Sequence, residues 1–417
     1  MILKAGSPVP RVVIVGGGPA GLIAAEYLAG LEVEVDLYER NSSVGRKFLV
    51  AGKSGLNLTR DEPLTKFGEH YGSAREQILP ALLEFGPTEV RAWARSHAME
   101  TFIGSSGKIF PIDMKGASLL RNWKADLIRS GVRIHTGWRW IDLDPAGRIL
   151  TFQTSEKLFQ VGYGTVLFAL GGASWPITGS TGEWVEKFIH HGFKISPLQP
   201  ANMGFEVEWS NHLIEKFEGK AIKTVTLSYN LPRGMVRSKV GEFVITRYGI
   251  EGNLIYAHSS FLRDLIQTQA SAMIEIDLLP SIEVEQISAK LSQRDHKRSL
   301  TANLERFFSF SKQKIGLLWE ADLNLNQLND KQLAERIKHL PIRLNRCRPI
   351  SEAISSAGGI QFAQLDEYYM SKVHPGIFFA GEMLDWEAPT GGYLLNGVMA
   401  TGLRAAKGMY RHLRQDQ

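Results

Sequence analysis

The chain has 417 residues, 44% hydrophobic and 22% charged, which suits a globular protein long enough for two or three filled cores. No apolar run approaches the roughly 20 residues that span a bilayer. Residues 1–10 hold one lysine and no apolar core, so no secretory signal is expected and the location read is cytoplasmic. The only cysteine, Cys347, excludes an intramolecular disulfide, a CxxC redox pair and a cysteine-rich metal site, and no metal is expected. The net charge of +5 is uneven, because residues 290–350 carry 13 Lys/Arg against six Asp/Glu. A solvated basic helical surface and a site for an anionic partner such as RNA both fit that bias.

In chain order, residues 11–15 read as a buried strand, 21–31 as a helix and 33–39 as a second strand, a βαβ unit. The joint between the first strand and the helix is Gly16-Gly17-Gly18-Pro19-Ala20-Gly21, which holds GxGxxG at Gly16, Gly18 and Gly21. Gly16 allows the tight turn, Gly18 lets a pyrophosphate approach the backbone, and Gly21 lets helix and strand pack closely. The helix N-terminus offers free N–H groups and the positive end of its dipole. Glu39, followed by Arg40, closes the second strand 18 residues beyond Gly21, where an acid accepts hydrogen bonds from a ribose diol. A basic pair beside a glycine, Gly45-Arg46-Lys47, suits the phosphates or ribose of the same cofactor, or solvent. Gly52, Asn57 and Thr59 follow as candidate cofactor contacts.

Residues 74–100 and 117–129 have helical periodicity, 138–161 alternates like a small meander, and 166–170 is an apolar strand. That strand carries Ala169 and ends in Gly171-Gly172, with Ser174 and Trp175 behind it as candidates for the cofactor's face. Residues 200–280 alternate with turns, which predicts antiparallel β structure, and 283–340 reads as helical. Near the end, Ile377-Phe378-Phe379-Ala380 runs into Gly381-Glu382, then Asp385, Gly391-Gly392, Tyr393 and Asn396. This second strand-to-helix joint suits the ribityl chain and flavin of a long dinucleotide, and its helix dipole favours a reduced flavin's negative charge. No second GxGxxG follows a strand, so one dinucleotide site is evident and FAD is the cofactor expected. The class is α/β: a discontinuous, two-half Rossmann-type FAD-binding domain over 1–196 and 349–417. An antiparallel β substrate domain at 197–282 and a helical cap at 283–348 are inserted in it.

Five separate segments resemble the YhiN/BaiN-type flavoproteins. They are Gly45-Arg46-Lys47 with Ala51-Gly52 to Asn57 and Thr59, and Gly107-Lys108-Ile109-Phe110-Pro111. Then come Ala169 to Ser174 with Gly179-Ser180-Thr181-Gly182, Ser356-Ala357-Gly358-Gly359-Ile360, and Gly381 to Tyr393. Two departures stand out: Gly55 and Leu56 replace an arginine and a cysteine of the family's glycine-rich stretch, and Leu394 follows Tyr393 where the family has asparagine. The resemblance implies a two-half FAD domain, a barrel-like inserted domain, a helical cap and an FAD-dependent oxidoreductase. Among its members it implies reduction of conjugated C=C bonds, reduction of uridine to dihydrouridine in ribosomal RNA, or oxidation of an amino-ketone.

The leading expectation is therefore reduction of an activated C=C bond in a small molecule by hydride from flavin N5, with NADH or NADPH as donor. RNA reached through residues 290–350, an amine or amino-ketone oxidase using oxygen, and a non-catalytic flavin-binding sensor are the alternatives. Tyr248, Tyr256, His258 and Tyr393 are candidate proton donors, and nothing in their spacing singles one out. Nothing in the sequence sets the oligomeric state.

Overall fold

The computed structural model describes residues 2–3, 11–52, 55–232 and 234–415. It divides into two compact units, Met1–Ala201 with Ile354–Gln417, and Asn202–Ala353. Lys53 and Ser54 of the expected glycine-rich stretch lie outside the described residues.

The first unit is built on a five-stranded sheet in the order Ile377–Phe379, Thr165–Phe168, Arg11–Val15, Glu34–Glu39, Arg133–Thr136. Every pairing in it is parallel. Such a sheet is covered on both faces, and its strands read as nearly continuous apolar runs. Val12 to Val15, Val166 to Phe168 and Ile377 to Phe379 are accordingly all buried. The predicted βαβ unit forms with its helix at Pro19–Ala29, two residues ahead of the expected start, because Pro19 occupies the first helical position.

A 23-residue helix, Tyr393–Gln415, packs on Pro19–Ala29 at small residues. A Cβ on Gly402 would lie 2.4 Å from the Ala20 carbonyl oxygen. The alternation at 138–161 forms a meander of Arg139–Asp144, Ile149–Gln153 and Leu158–Gly162. Thr59–Arg60, Lys108–Pro111 and Thr101–Ile103 make a separate three-stranded sheet. The helical stretch at 74–100 is two helices, Arg75–Glu84 and Pro87–Ser96. The break falls at Phe85-Gly86 because a residue before proline avoids helical dihedrals.

The second unit holds an eight-stranded antiparallel sheet that curls as a half-barrel. Phe205, Leu227, Phe243, Ile245, Ile274 and Ile276 fill its core, and Leu304, Leu318, Leu333 and Ile337 from the following helices join the same cluster. The alternation read over 200–280 is interrupted by helices Asn211–Phe217 and Ser259–Gln269. Ser210 starts the first by accepting a hydrogen bond from Leu213 N–H, a cap that the strand pattern hides. No described helix is long and apolar enough to cross a membrane, and no three described His, Cys, Asp or Glu are grouped to hold a metal ion.

Candidate functional site

The glycine turn has the geometry a dinucleotide needs. Gly16 sits at φ +112°, and a Cβ there would meet the Ala169 carbonyl oxygen at 2.3 Å. Gly21 is closed in the same way, 2.0 Å from the Gly16 carbonyl oxygen. Gly18 is the opposite case, since a Cβ there would find no atom within 4 Å. It is the N-cap of Pro19–Ala29, and no side chain caps that helix end. The turn is thus tight on the protein's side and open where its amides face outward.

Glu39 is buried and already holds the turn. Its Oε2 accepts from Gly17 N–H at 2.9 Å, and its Oε1 accepts from Asn41 N–H at 2.8 Å and Asn41 Nδ2 at 2.7 Å. A carboxylate has about four acceptor positions, so one is left for a hydroxyl. The neighbouring cations have protein partners: Arg40 donates to Thr181 Oγ1 at 3.1 Å and Arg46 to Asn41 Oδ1 at 3.1 Å.

The chain's terminal motif is carried to this turn. Gly381 lies at φ +79°, with Ala20 Cβ 3.0 Å from where its own Cβ would be. Lys47 Nζ pairs with Glu382 Oε2 at 2.9 Å and donates to Ser174 Oγ at 2.6 Å. Glu382 Oε1 accepts from Ser356 N–H at 2.8 Å. Two residues each expected at the cofactor therefore hold one another, an ion pair that ties both halves of the unit together. Gly172 is pressed against Ser356, while Trp184 and Ser180 donate to the carbonyls of Gly171 and Gly172. Asp385 accepts from Ser196 Oγ at 2.6 Å. Gly52 ends the Arg46–Ala51 helix and packs against Gly116. Trp175 is the N-cap of a short 3-10 turn at φ +51°.

Asn57 Oδ1 is buried without a hydrogen-bond partner among the described residues, a costly arrangement unless a ligand supplies a donor. Thr59 Oγ1 instead donates to Asn396 Oδ1 at 2.6 Å, and Asn396 Nδ2 donates to the Phe85 carbonyl at 2.7 Å, so that buried pair is satisfied. With the bare helix end at Gly18, the spare acceptor of Glu39 and the orphaned Asn57 oxygen, the residues present fit FAD.

A further cluster surrounds Gly391 and Gly392, at φ +107° and +102°. A Cβ on Gly392 would strike the Thr59 backbone at 2.5 Å, so only glycine fits. Tyr393 is buried, stacks on His70 with ring centroids 3.8 Å apart, and donates its hydroxyl to Glu62 Oε2 at 2.9 Å. His70 Nε2 lies 3.3 Å from the same oxygen. Burial, and next the Glu62 hydrogen bond, raise Tyr393 well above the usual phenol range, whereas burial pulls His70 below the usual imidazole value. Arg60 and Lys108 complete the cluster. Sequence reasoning missed Glu62, His70 and Arg60, which follow no motif; Lys108 stood in the Gly107 to Pro111 segment without a role.

A family model described as an HI0933-like protein Rossmann domain matches residues 10–408. The chain belongs to the HI0933-like family. Its relatives include a 3-dehydro-bile acid delta(4,6)-reductase of Clostridium scindens, 26% identical over 95% of this chain and 98% of that one. A ribosomal RNA dihydrouridine synthase of Haemophilus influenzae is 23% identical over 91% and 94% of the two chains. The fold is shared with a 3-ketosteroid delta1-dehydrogenase of Sterolibacterium denitrificans at a TM-score of 0.53 and 12% identity, covering 97% of this chain and all of that one. Family and fold together make this HI0933-like chain an FAD-dependent oxidoreductase.

Tyr248, Tyr256 and His258 lie in the second unit. Tyr248 is exposed beneath the Arg348 guanidinium, 4.1 Å from its ring centroid. His258 Nδ1 is 3.1 Å from the hydroxyl of buried Tyr229, a partner the sequence did not suggest. Burial lowers the His258 imidazole and pushes Tyr256 up to about 12. Burial likewise pushes the Cys347 thiol up to about 11, far from a reactive thiolate.

Proposed function

We propose that this HI0933-like protein reduces a conjugated C=C bond of a small molecule, with NADH or NADPH as the electron source. The observation that carries the reading is the meeting of Gly381 with Ala20 at the dinucleotide turn, in a chain aligned end to end with a bile acid reductase. FAD, when bound, supplies the hydride for the β-carbon of the acceptor. The protein's part is to bind, to orient and to hold a proton. The Gly18 helix end and Glu39 hold the dinucleotide, and the Gly391-Gly392 turn leaves bare backbone beside Tyr393. Of the four proton-donor candidates, Tyr393 alone lies in the unit that carries the dinucleotide turn. Its hydroxyl keeps its proton across neutral pH in the hydrogen bond to Glu62, and it is the group we assign to protonate the α-carbon once it turns from Glu62 to the bound acceptor.

Reduction of uridine in RNA is the second reading, favoured by the relative of that name and by residues 290–350. Many of those cations are already engaged within the unit. Arg294, Arg298, Arg336 and Arg348 have acidic partners, Lys338 pairs with Asp277, and Lys314 donates to the carbonyls of Thr224 and Leu278. Phe308 and Phe310 are buried in the core and so offer RNA bases no face to stack on. The small molecule is preferred for that reason.

The test is the anaerobic visible spectrum of the purified protein. A flavin band that bleaches with NADH or NADPH and returns on addition of a conjugated enone is the expected result. A band that persists with both nucleotides moves electron supply to an oxidisable substrate and overturns the reading. Reoxidation by uridine-containing RNA, but by no enone, transfers it to RNA.

A further inference from the structure

Arg60 and Lys108 are Cα partners in the antiparallel pairing of Thr59–Arg60 with Lys108–Pro111. Opposed residues of such a pair share one face with Cβ atoms about 5 Å apart, and like charges there destabilise the sheet. Both side chains are half-buried, which reduces screening by water. Among the described residues, neither cation has a carboxylate in ion-pair contact. Glu62, two residues beyond Arg60, is occupied by Tyr393 and His70.

The two cations differ in how far the protein satisfies them. Arg60 Nη2 donates to the Ser106 carbonyl at 2.6 Å, while Lys108 Nζ makes no hydrogen bond to any described residue. Burial, and then the charge of Arg60, hold Lys108 below the usual lysine value. Gly391 lies against both: a Cβ there would be 3.8 Å from Lys108 Cε and the Tyr393 ring and 3.9 Å from Arg60 Nη1. Bare backbone, two half-buried cations and a phenol therefore meet at one place, and among the described residues no carboxylate reaches ion-pair distance of either cation.

We propose that Arg60 and Lys108 form a subsite that binds a carboxylate of the substrate beside the Gly391-Gly392 turn. A planar guanidinium and a point-charge ammonium suit a two-oxygen anion, and FAD's own phosphates are provided for at the Gly18 helix end. The subsite deepens the reductase reading and rests on it for what lies alongside. It makes the enzyme selective for unsaturated acids over their neutral counterparts.

The experiment uses FAD-loaded enzyme held oxidised under anaerobic conditions. It is titrated with cinnamate and with a 3-oxo-4-ene steroid bearing a side-chain carboxylate, each against its methyl ester, and binding is read from the flavin spectrum. At least one acid should bind about tenfold more tightly than its ester, the scale of one charge-assisted hydrogen bond. Lys108→Met should abolish that preference, with FAD content unchanged, and Lys108→Arg should retain it. Equal binding of acid and ester, no binding of either acid, or a Lys108→Met variant that keeps the preference overturns the subsite. A Lys108→Met variant that loses FAD or shifts the flavin's reduction potential while keeping the preference also overturns it, because the cations then serve the cofactor. The parent reading fails separately: acids that bind selectively but never reoxidise reduced flavin leave the subsite standing and remove the reductase.

Discussion

Glu39 has one acceptor position to spare, and that decides what its removal does. Three of its hydrogen bonds hold Gly17 and Asn41, so the residue shapes the turn as well as meeting a ribose hydroxyl. Glu39→Ala should weaken FAD binding by about 1–3 kcal/mol, the scale of leaving a buried donor or hydroxyl unpaired. Titration of apoprotein with FAD, followed by flavin fluorescence, measures this, and an unchanged affinity would show that Glu39 is not the ribose ligand. At this scale the sequence told which residues gather and not how they pair. Lys47, Glu382, Thr59 and Asn396 were each expected at the cofactor, yet Lys47 holds Glu382 and Thr59 holds Asn396. These partners are 335 and 337 residues apart, beyond the reach of any local pattern.

At the scale of elements, the first βαβ unit was legible because an apolar run, a glycine turn and a terminal acid all point to one geometry. The helices Asn211–Phe217 and Asn253–Tyr256 of the second unit were less so, since short helices between strands carry too few turns for a period to emerge. The closing helix was expected after the second strand-to-helix joint, but not its contact with the dinucleotide helix. That contact is made at glycine, where a Cβ on Gly402 would lie 2.4 Å from the Ala20 carbonyl oxygen and 2.8 Å from Ile23 Cγ2. Gly402→Ala gains helix propensity of about 1 kcal/mol, yet it forces the two helices apart. Overpacking of this kind costs about 1–3 kcal/mol. Because Ala20 is in the first turn, the displacement also reaches the pyrophosphate end. A net fall in denaturant midpoint together with weaker FAD binding is expected. A variant as stable as the parent, with unchanged FAD affinity, would mean that the helices shift without consequence.

At the scale of the whole molecule, three histidines make stability depend on pH around neutrality, and they pull in opposite directions. His97 is buried where Glu26 and Asp126 meet, with Nδ1 2.6 Å from Asp126 and Nε2 3.2 Å from Glu26. Glu26 also accepts from the indoles of Trp93 and Trp123, and Asp126 pairs with Arg129. Burial alone would lower the imidazole, but hydrogen bonds and charge from the two acids outweigh it and raise His97 above its ordinary 6.5. A histidine raised in the folded state contributes fully below pH 6.5, and that contribution is lost as pH rises through its folded value. His70 and His258 are lowered by burial, so the unfolded chain takes up protons that the folded one refuses, and stability falls as pH drops below 6.5. Thermal unfolding at fixed ionic strength should therefore show a maximum near neutral pH with a decline on each side. His97→Gln should flatten the alkaline decline and leave the acid one in place. An alkaline decline of equal steepness in His97→Gln would place its origin elsewhere, and a profile without an acid decline would mean that His70 and His258 remain open enough to water to titrate normally.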